Sequence, residues 1–375
     1  MEASTQRLLA TWKAAGLLDR ATADRIEAWE SAHAPARSGR LGRFAFAFGG
    51  LMLGAGVLLF VAANWDQLSP WARFATLAAV VALLHLGGAF IESRSAALAQ
   101  TLHAVGTGAL GGGIFLAAQA FNLAENWPAG FLLWAVGAAV ALWLRRDWPQ
   151  ALWVALLVPM WLATEWIDRV GEPDRLEGSL LLVGLSVLSV AYASAAGPAH
   201  DDVRRRALAR LGATLLIPFA ALLLSSHHWM DERGAMHATA TLLLGWSIAV
   251  VLPLLVGAWL RGRAAWPLLP ALAIAIAITQ LDFPAATTSV VAHLLYAAAS
   301  AGMVWWGVSD GHRLRINLGV LGFALTVLSF YYSNVFDKFG RSLGLIGLGV
   351  LFIVGGWWLE RTRRLLLERV EEVQP

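Results

Sequence analysis

A chain of 375 residues with 58% hydrophobic and only 14% charged side chains carries more apolar surface than a water-soluble fold of that length can bury, so the surplus faces lipid. Its formal charge of +3 is carried largely by arginines at the ends of apolar runs instead of in one patch, which excludes a nucleic-acid surface. Cysteine is absent, and with it disulfides, thiolate metal sites and cysteine nucleophiles.

Residues 1–42 read as a cytoplasmic amphipathic helical hairpin. Leu8, Leu9 and Trp12 form a stripe on one helix, Gly16 breaks it, and Asp19 is placed to cap a second helix carrying Ala23, Ile26 and Trp29. Such a hairpin can dock on the mouth of a bundle or bind a partner.

Twelve stretches then approach or reach the roughly 20 mostly apolar residues that a helix needs to cross a bilayer. They are 44–63, 71–91, 98–119, 128–144, 148–164, 177–195, 207–226, 237–260, 264–281, 286–307, 314–332 and 343–359. A barrel would instead show short alternating segments. The first stretch starts too late, and lacks the small-residue cleavage site, for a removable signal peptide, so it reads as a retained anchor. With residue 1 in the cytoplasm, all 28 lysines and arginines except Arg73, Arg169, Arg175, Arg233, Lys338 and Arg341 fall on the inner side. That bias requires an even number of spans and places both termini in the cytoplasm. The expected fold is all-α, a polytopic transmembrane helix bundle of about twelve spans. It divides into the hairpin (1–42), a glycine-rich region of spans 1–5 (43–164), spans 6–12 (165–359) and a cytoplasmic C-terminal helix (360–375).

Tryptophans at Trp65, Trp71, Trp127, Trp148, Trp166, Trp259, Trp266, Trp305, Trp357 and Trp358 mark an aromatic belt at the two water boundaries. A weak internal echo at an offset of 57 pairs Gly49, Gly54 and Gly56 with Gly106, Gly111 and Gly113, and Ala72 and Phe74 with Ala129 and Phe131. It describes a parallel repeat of two spans.

Inside the membrane, glycine is the richest signal. The spacings Gly50 to Gly54 and Gly108 to Gly112 allow close helix approach. Three consecutive glycines, Gly111, Gly112 and Gly113, lower helix propensity by about 1 kcal/mol each, which opens the alternative of a locally unwound helix lining a cavity. Gly54, Gly56, Gln119 and Asn122 complete that candidate ligand cavity. On the extracytoplasmic rim, Asn64, Asp66 and Arg73 form a second candidate group. There Asp66 or Ser69 can cap the span opened by Pro70, and Asp66 can pair with Arg73.

No Asp, Glu, Lys or Arg lies near the centre of any predicted span, which weighs against ion-coupled transport. The remaining intramembrane titratable candidates are His85, His103, His237 and His293, the last with Tyr296 one turn beyond it. Each is read as a proton carrier or, more simply, a helix-to-helix hydrogen-bond partner. His227, His228, Asp231 and Glu232 share an outer loop but match no metal motif, and Gly108 to Gly113 lacks the lysine of a phosphate loop. No metal, cofactor or catalytic residue is expected.

Gly16-Leu17-Leu18-Asp19 through Ile26, the run Gly54-Ala55-Gly56 to Ala63-Asn64-Trp65-Asp66, and the glycine-rich span ending Ala118-Gln119-Ala120-Phe121-Asn122 together resemble the bacterial predicted membrane proteins of domain-of-unknown-function 2157. The resemblance covers roughly the first 150 residues. It implies a bacterial cytoplasmic (inner) membrane protein, carries no established activity, and makes a complex with another multispan or an extracytoplasmic protein plausible. The expectation is a non-enzymatic component of a membrane complex that binds or moves a neutral or lipidic ligand near spans 1–4. The alternatives are an assembly scaffold and a lipid-modifying enzyme.

Overall fold

A computed structural model describes residues 12, 15–33, 48–49, 52, 56, 68–170, 175–197, 202–225, 239–279, 285–334, 350 and 361. The described residues hold eleven α-helices and no β-strand. These are α1 (Arg20–His33), α2 (Pro70–Ile91), α3 (Ala96–Ala120), α4 (Trp127–Arg145), α5 (Trp148–Val170), α6 (Arg175–Ala193), α7 (Val203–Ser225), α8 (Thr239–Arg261), α9 (Leu268–Thr279), α10 (Ala285–Ser309) and α11 (Arg313–Asn334). A 3₁₀ turn, Gly262–Ala265, leads from α8 towards α9.

The helix ends follow local chemistry. Ser69 Oγ accepts from the Ala72 N–H and caps α2, while Asn126 and Asp147 accept from the Ala129 and Gln150 N–H groups ahead of the Trp-Pro starts of α4 and α5. Asp19 accepts from the Thr22 N–H at the start of α1. The starts of α2 and α4, at 70 and 127, keep the offset of the sequence echo.

Ten of the predicted spans coincide with α2 to α11. Among the described residues eight helices are long and apolar enough to cross a membrane, namely α2, α3, α4, α5, α7, α8, α10 and α11. α9 is shorter than predicted: its 12 residues rise about 18 Å, against a hydrocarbon core of about 30 Å. Gly262, at φ +57°, and Pro267 take the chain out of helical geometry before it begins. The stretches 44–63 and 343–359 lie almost wholly outside the described residues.

Phe90, Trp143 and Trp259 are 79, 72 and 81% exposed, and they stand among many exposed leucines and valines. Apolar surface of this extent is stable only in lipid. The chain is a multi-pass membrane protein.

The chain forms two units. The first comprises 1–68 and 82–105; within it, the inner parts of α2 and α3 pack where Gly87 meets Leu102 and Gly88 meets His103. The second comprises 69–81 and 106–375. Its centre is α6, whose Val183, Val187, Val190 and Ala191 are buried against Leu223 of α7, Leu268, Leu272 and Ile278 of α9, and Trp306 of α10. Gly212 makes the α6–α7 contact possible, because a Cβ there would stand 2.3 Å from the Ala193 nitrogen.

Prolines stand inside three helices of this unit, Pro159 in α5, Pro218 in α7 and Pro253 in α8. Pro159 of α5 cannot donate to the Ala155 carbonyl, and the Tyr192 hydroxyl of α6 donates to it instead, at 3.1 Å. Pro253 of α8 likewise leaves the Ala249 carbonyl without its helical donor.

Candidate functional site

Gly111–Gly113 lie inside a continuous helix, so the described chain has no unwound segment there. Aromatic rings fill the notches at Gly111 and Gly108, while Gly113 faces Leu77 of α2. A Cβ on Gly111 would stand 2.2 Å from the Trp134 ring of α4, and one on Gly108 would be 3.1 Å from Trp153 of α5. Beside them Trp134 Nε1 donates to the Thr107 carbonyl at 2.7 Å, and Thr107 Oγ1 donates to Gln150 Oε1 at 2.8 Å. This face of α3 is therefore a packing seam with polar ties.

Gln119 and Asn122 stand at the C-terminal stop of α3. Asn122 has φ +49°, its N–H donates to the Gln119 carbonyl, and the Leu123 N–H donates to the Ala118 carbonyl. That pair of bonds is a Schellman stop, for which asparagine tolerates the left-handed geometry, and both side chains are exposed. Gly54, Asn64, Asp66, His237 and the loop holding His227, His228, Asp231 and Glu232 lie outside the described residues, as does any Asp66–Arg73 pairing. Gly56 is helical, with its chain neighbours outside that set. Arg73 is half-buried in the first turn of α2.

The structure brings His85 and His103 together. Their Nδ1 atoms are 3.0 Å apart and their ring centroids 5.2 Å apart, with His103 only 4% exposed. The sequence contains a signal for this meeting, since the two histidines are nearly equidistant from the turn at 92–95 and stand at matching depth in an antiparallel pair. His293 and Tyr296 serve separate contacts. His293 Nδ1 stands 2.6 Å from the Ser289 carbonyl and must donate to it, leaving Nε2 to accept from Ser329 Oγ at 3.2 Å. Tyr296 donates to the Ala220 carbonyl at 2.8 Å. These two act as helix ties.

Sequence reasoning assigned arginines to orientation alone and missed a buried cluster. Asp310, after α10, pairs with both Arg261 and Arg315, the latter at 2.9 Å. Arg315 is fully buried, lies 4.7 Å from the Trp306 ring, and donates to the Ala196 carbonyl at 3.1 Å. Arg261 donates to the same carbonyl, and Arg205 donates to the carbonyls of Ala195 and Leu260. Gly197 leaves room beside them, because a Cβ there would push the Arg261 guanidinium aside. The cluster thus ties the ends of α6, α8 and α10 to the starts of α7 and α11, using the negative end of α6 as part of its counter-charge.

An apolar recess of about 50 Å³ lies between α5, α6 and α8. Pro159, Trp166, Gly184, Gly245, Ala249 and Pro253 supply its wall. Trp166 departs from the expected belt: α5 continues to Val170, so Trp166 is packed inside over Gly245, 5% exposed, and its indole N–H has no acceptor among the described residues. Trp71, Trp127, Trp259, Trp266 and Trp305 are exposed as a belt requires, whereas Trp65, Trp357 and Trp358 lie outside the described residues. No group of three or more potential metal ligands occurs among the described residues.

The family described as "Predicted membrane protein (DUF2157)" matches residues 10–151, the region that carries the resemblance seen in the sequence. No curated protein and no solved structure matches the chain.

Proposed function

We propose, starting from a chain whose residues 10–151 are of the DUF2157 family of predicted membrane proteins, that it is a non-enzymatic component of a membrane complex that holds a lipidic ligand. Its arginine-rich side faces the cytoplasm of a bacterium, in keeping with the positive-inside bias. The observation that carries the ligand reading is the recess between α5, α6 and α8. The expected location at spans 1–4 loses support where rings fill the α3 notches. The α5–α6–α8 recess is partly open and walled by apolar atoms, which suits a short stretch of one acyl chain. The Trp166 indole N–H and the Ala249 carbonyl give a hydroxyl-bearing or ester-bearing chain polar groups to engage.

The test is photolabelling of the full-length protein, in phosphatidylethanolamine vesicles, by a fatty acid carrying a diazirine in its chain. Labelled peptides should come from α5 and α8, and Leu181→Trp, which enlarges a lining side chain of α6, should cut that labelling several-fold without changing it elsewhere. Labelling spread evenly over the exposed helices, unchanged in Leu181→Trp, would refute the lipid site.

A further inference from the structure

We propose that His85 and His103 form a single-proton binding site within the membrane. The Nδ1–Nδ1 separation of 3.0 Å is a hydrogen bond, so one Nδ1 must carry a hydrogen while the other presents its lone pair. Two states satisfy that rule. In the neutral pair the two rings are opposite tautomers. In the singly charged pair one ring is an imidazolium and donates a shorter, stronger, charge-assisted bond to its neutral partner. A second proton gives both Nδ1 atoms a hydrogen, and the contact must open.

The other titratable or charged groups on α2, α3 and their connecting turn are Arg73 near the far end of α2, and Glu92 and Arg94 at the turn. The histidines lie six residues before the end of α2 and seven after the start of α3, roughly 9–10 Å along each helix from the turn. Gly88 makes the geometry possible: it is buried, and a Cβ there would stand 2.8 Å from His103 Nε2. The glycine admits the His103 ring to the depth at which it reaches His85.

The pair therefore links proton binding to the contact between α2 and α3. One proton tightens it and a second separates it.

The test uses the full chain in lipid nanodiscs, labelled with ¹⁵N at histidine and titrated from about pH 8 to about pH 4. The nitrogens of His85 and His103 should respond together, in a joint step that takes up one proton for the two rings, before any second uptake. In His85→Phe, His103 should titrate alone and independently of that step. Gly88→Val keeps both histidines but occupies the space of the His103 ring, and should split the joint response into two independent titrations. Two independent titrations in the unaltered protein would overturn the proposal, as would a Gly88→Val profile identical to it.

Discussion

Replacing Asp310 by asparagine keeps the size of the side chain and removes the one carboxylate shared by Arg261 and Arg315. The two guanidiniums, whose side chains are 7% and 0% exposed, are then left with the Ala196 carbonyl between them. Breaking a buried ion pair by removing one partner costs about 3–5 kcal/mol. Asp310 keeps 22% exposure, which lets water repay part of the loss and places the expected cost near the lower end, about 3 kcal/mol. That is roughly a hundredfold fall in the ratio of folded to unfolded protein, at about 1.4 kcal/mol per decade. Equilibrium unfolding in mixed micelles measures it. Replacing the cluster with apolar residues, Arg261→Met, Asp310→Leu and Arg315→Met together, should cost less than Asp310→Asn alone, because no charge is left stranded. A loss below about 1 kcal/mol for Asp310→Asn, the value of an exposed surface pair, would refute the reasoning.

Other expectations follow from single contacts. Tyr192→Phe strands the Ala155 carbonyl that Pro159 leaves without a donor, and should destabilise the protein by about 1–3 kcal/mol in the same unfolding assay. Gly111→Leu drives a side chain into the Trp134 ring, and should lower stability by about 1–3 kcal/mol and redden or broaden Trp134 emission in a variant whose other tryptophans are replaced. Asp202 caps α7 through the Arg205 N–H at 2.8 Å, so Asp202→Ala should cost about 0.5–2 kcal/mol. The same N–H holds the Asp202 carboxyl below its ordinary value of 3.8. A depressed carboxylate stabilises the fold above that ordinary value and stops doing so as pH falls through its lower folded-state value, so wild type and Asp202→Ala should converge in stability only in strong acid.

Much of the helix map was legible because its punctuation is local. Trp-Pro pairs at 127–128 and 148–149, each preceded by a capping Asn126 or Asp147, start α4 and α5 where the apolar runs begin. What stayed hidden depends on partners distant in sequence. Trp166 reads as a belt residue only if α5 stops at 164; six further residues of helix carry it over Gly245 and into the interior. Arg315 looks like a boundary charge, since nothing within its own helix announces Asp310, Ala196 and Trp306 around it. His85 and His103 were visible singly, and only the antiparallel turn between them makes a pair. Gln119 and Asn122 carry amides that suit a ligand, yet the backbone uses Asn122 to stop α3.

The cluster around Asp310 also bears on how the chain enters the membrane. Arg261 and Asp310 are 49 residues apart, and α9 and α10 lie between them, so their meeting requires the chain to go away from one face and return to it. α9, with 12 residues, is too short to commit to the bilayer by its own hydrophobic length. The ion pair can close only when the two helices between Arg261 and Asp310 bring the chain back to where it left α8. A chain in which they did not return would leave Arg261 without its carboxylate, while Asp310 and Arg315, five residues apart, would stay together. The Asp310–Arg261 pair thus registers whether α9 and α10 have closed their excursion.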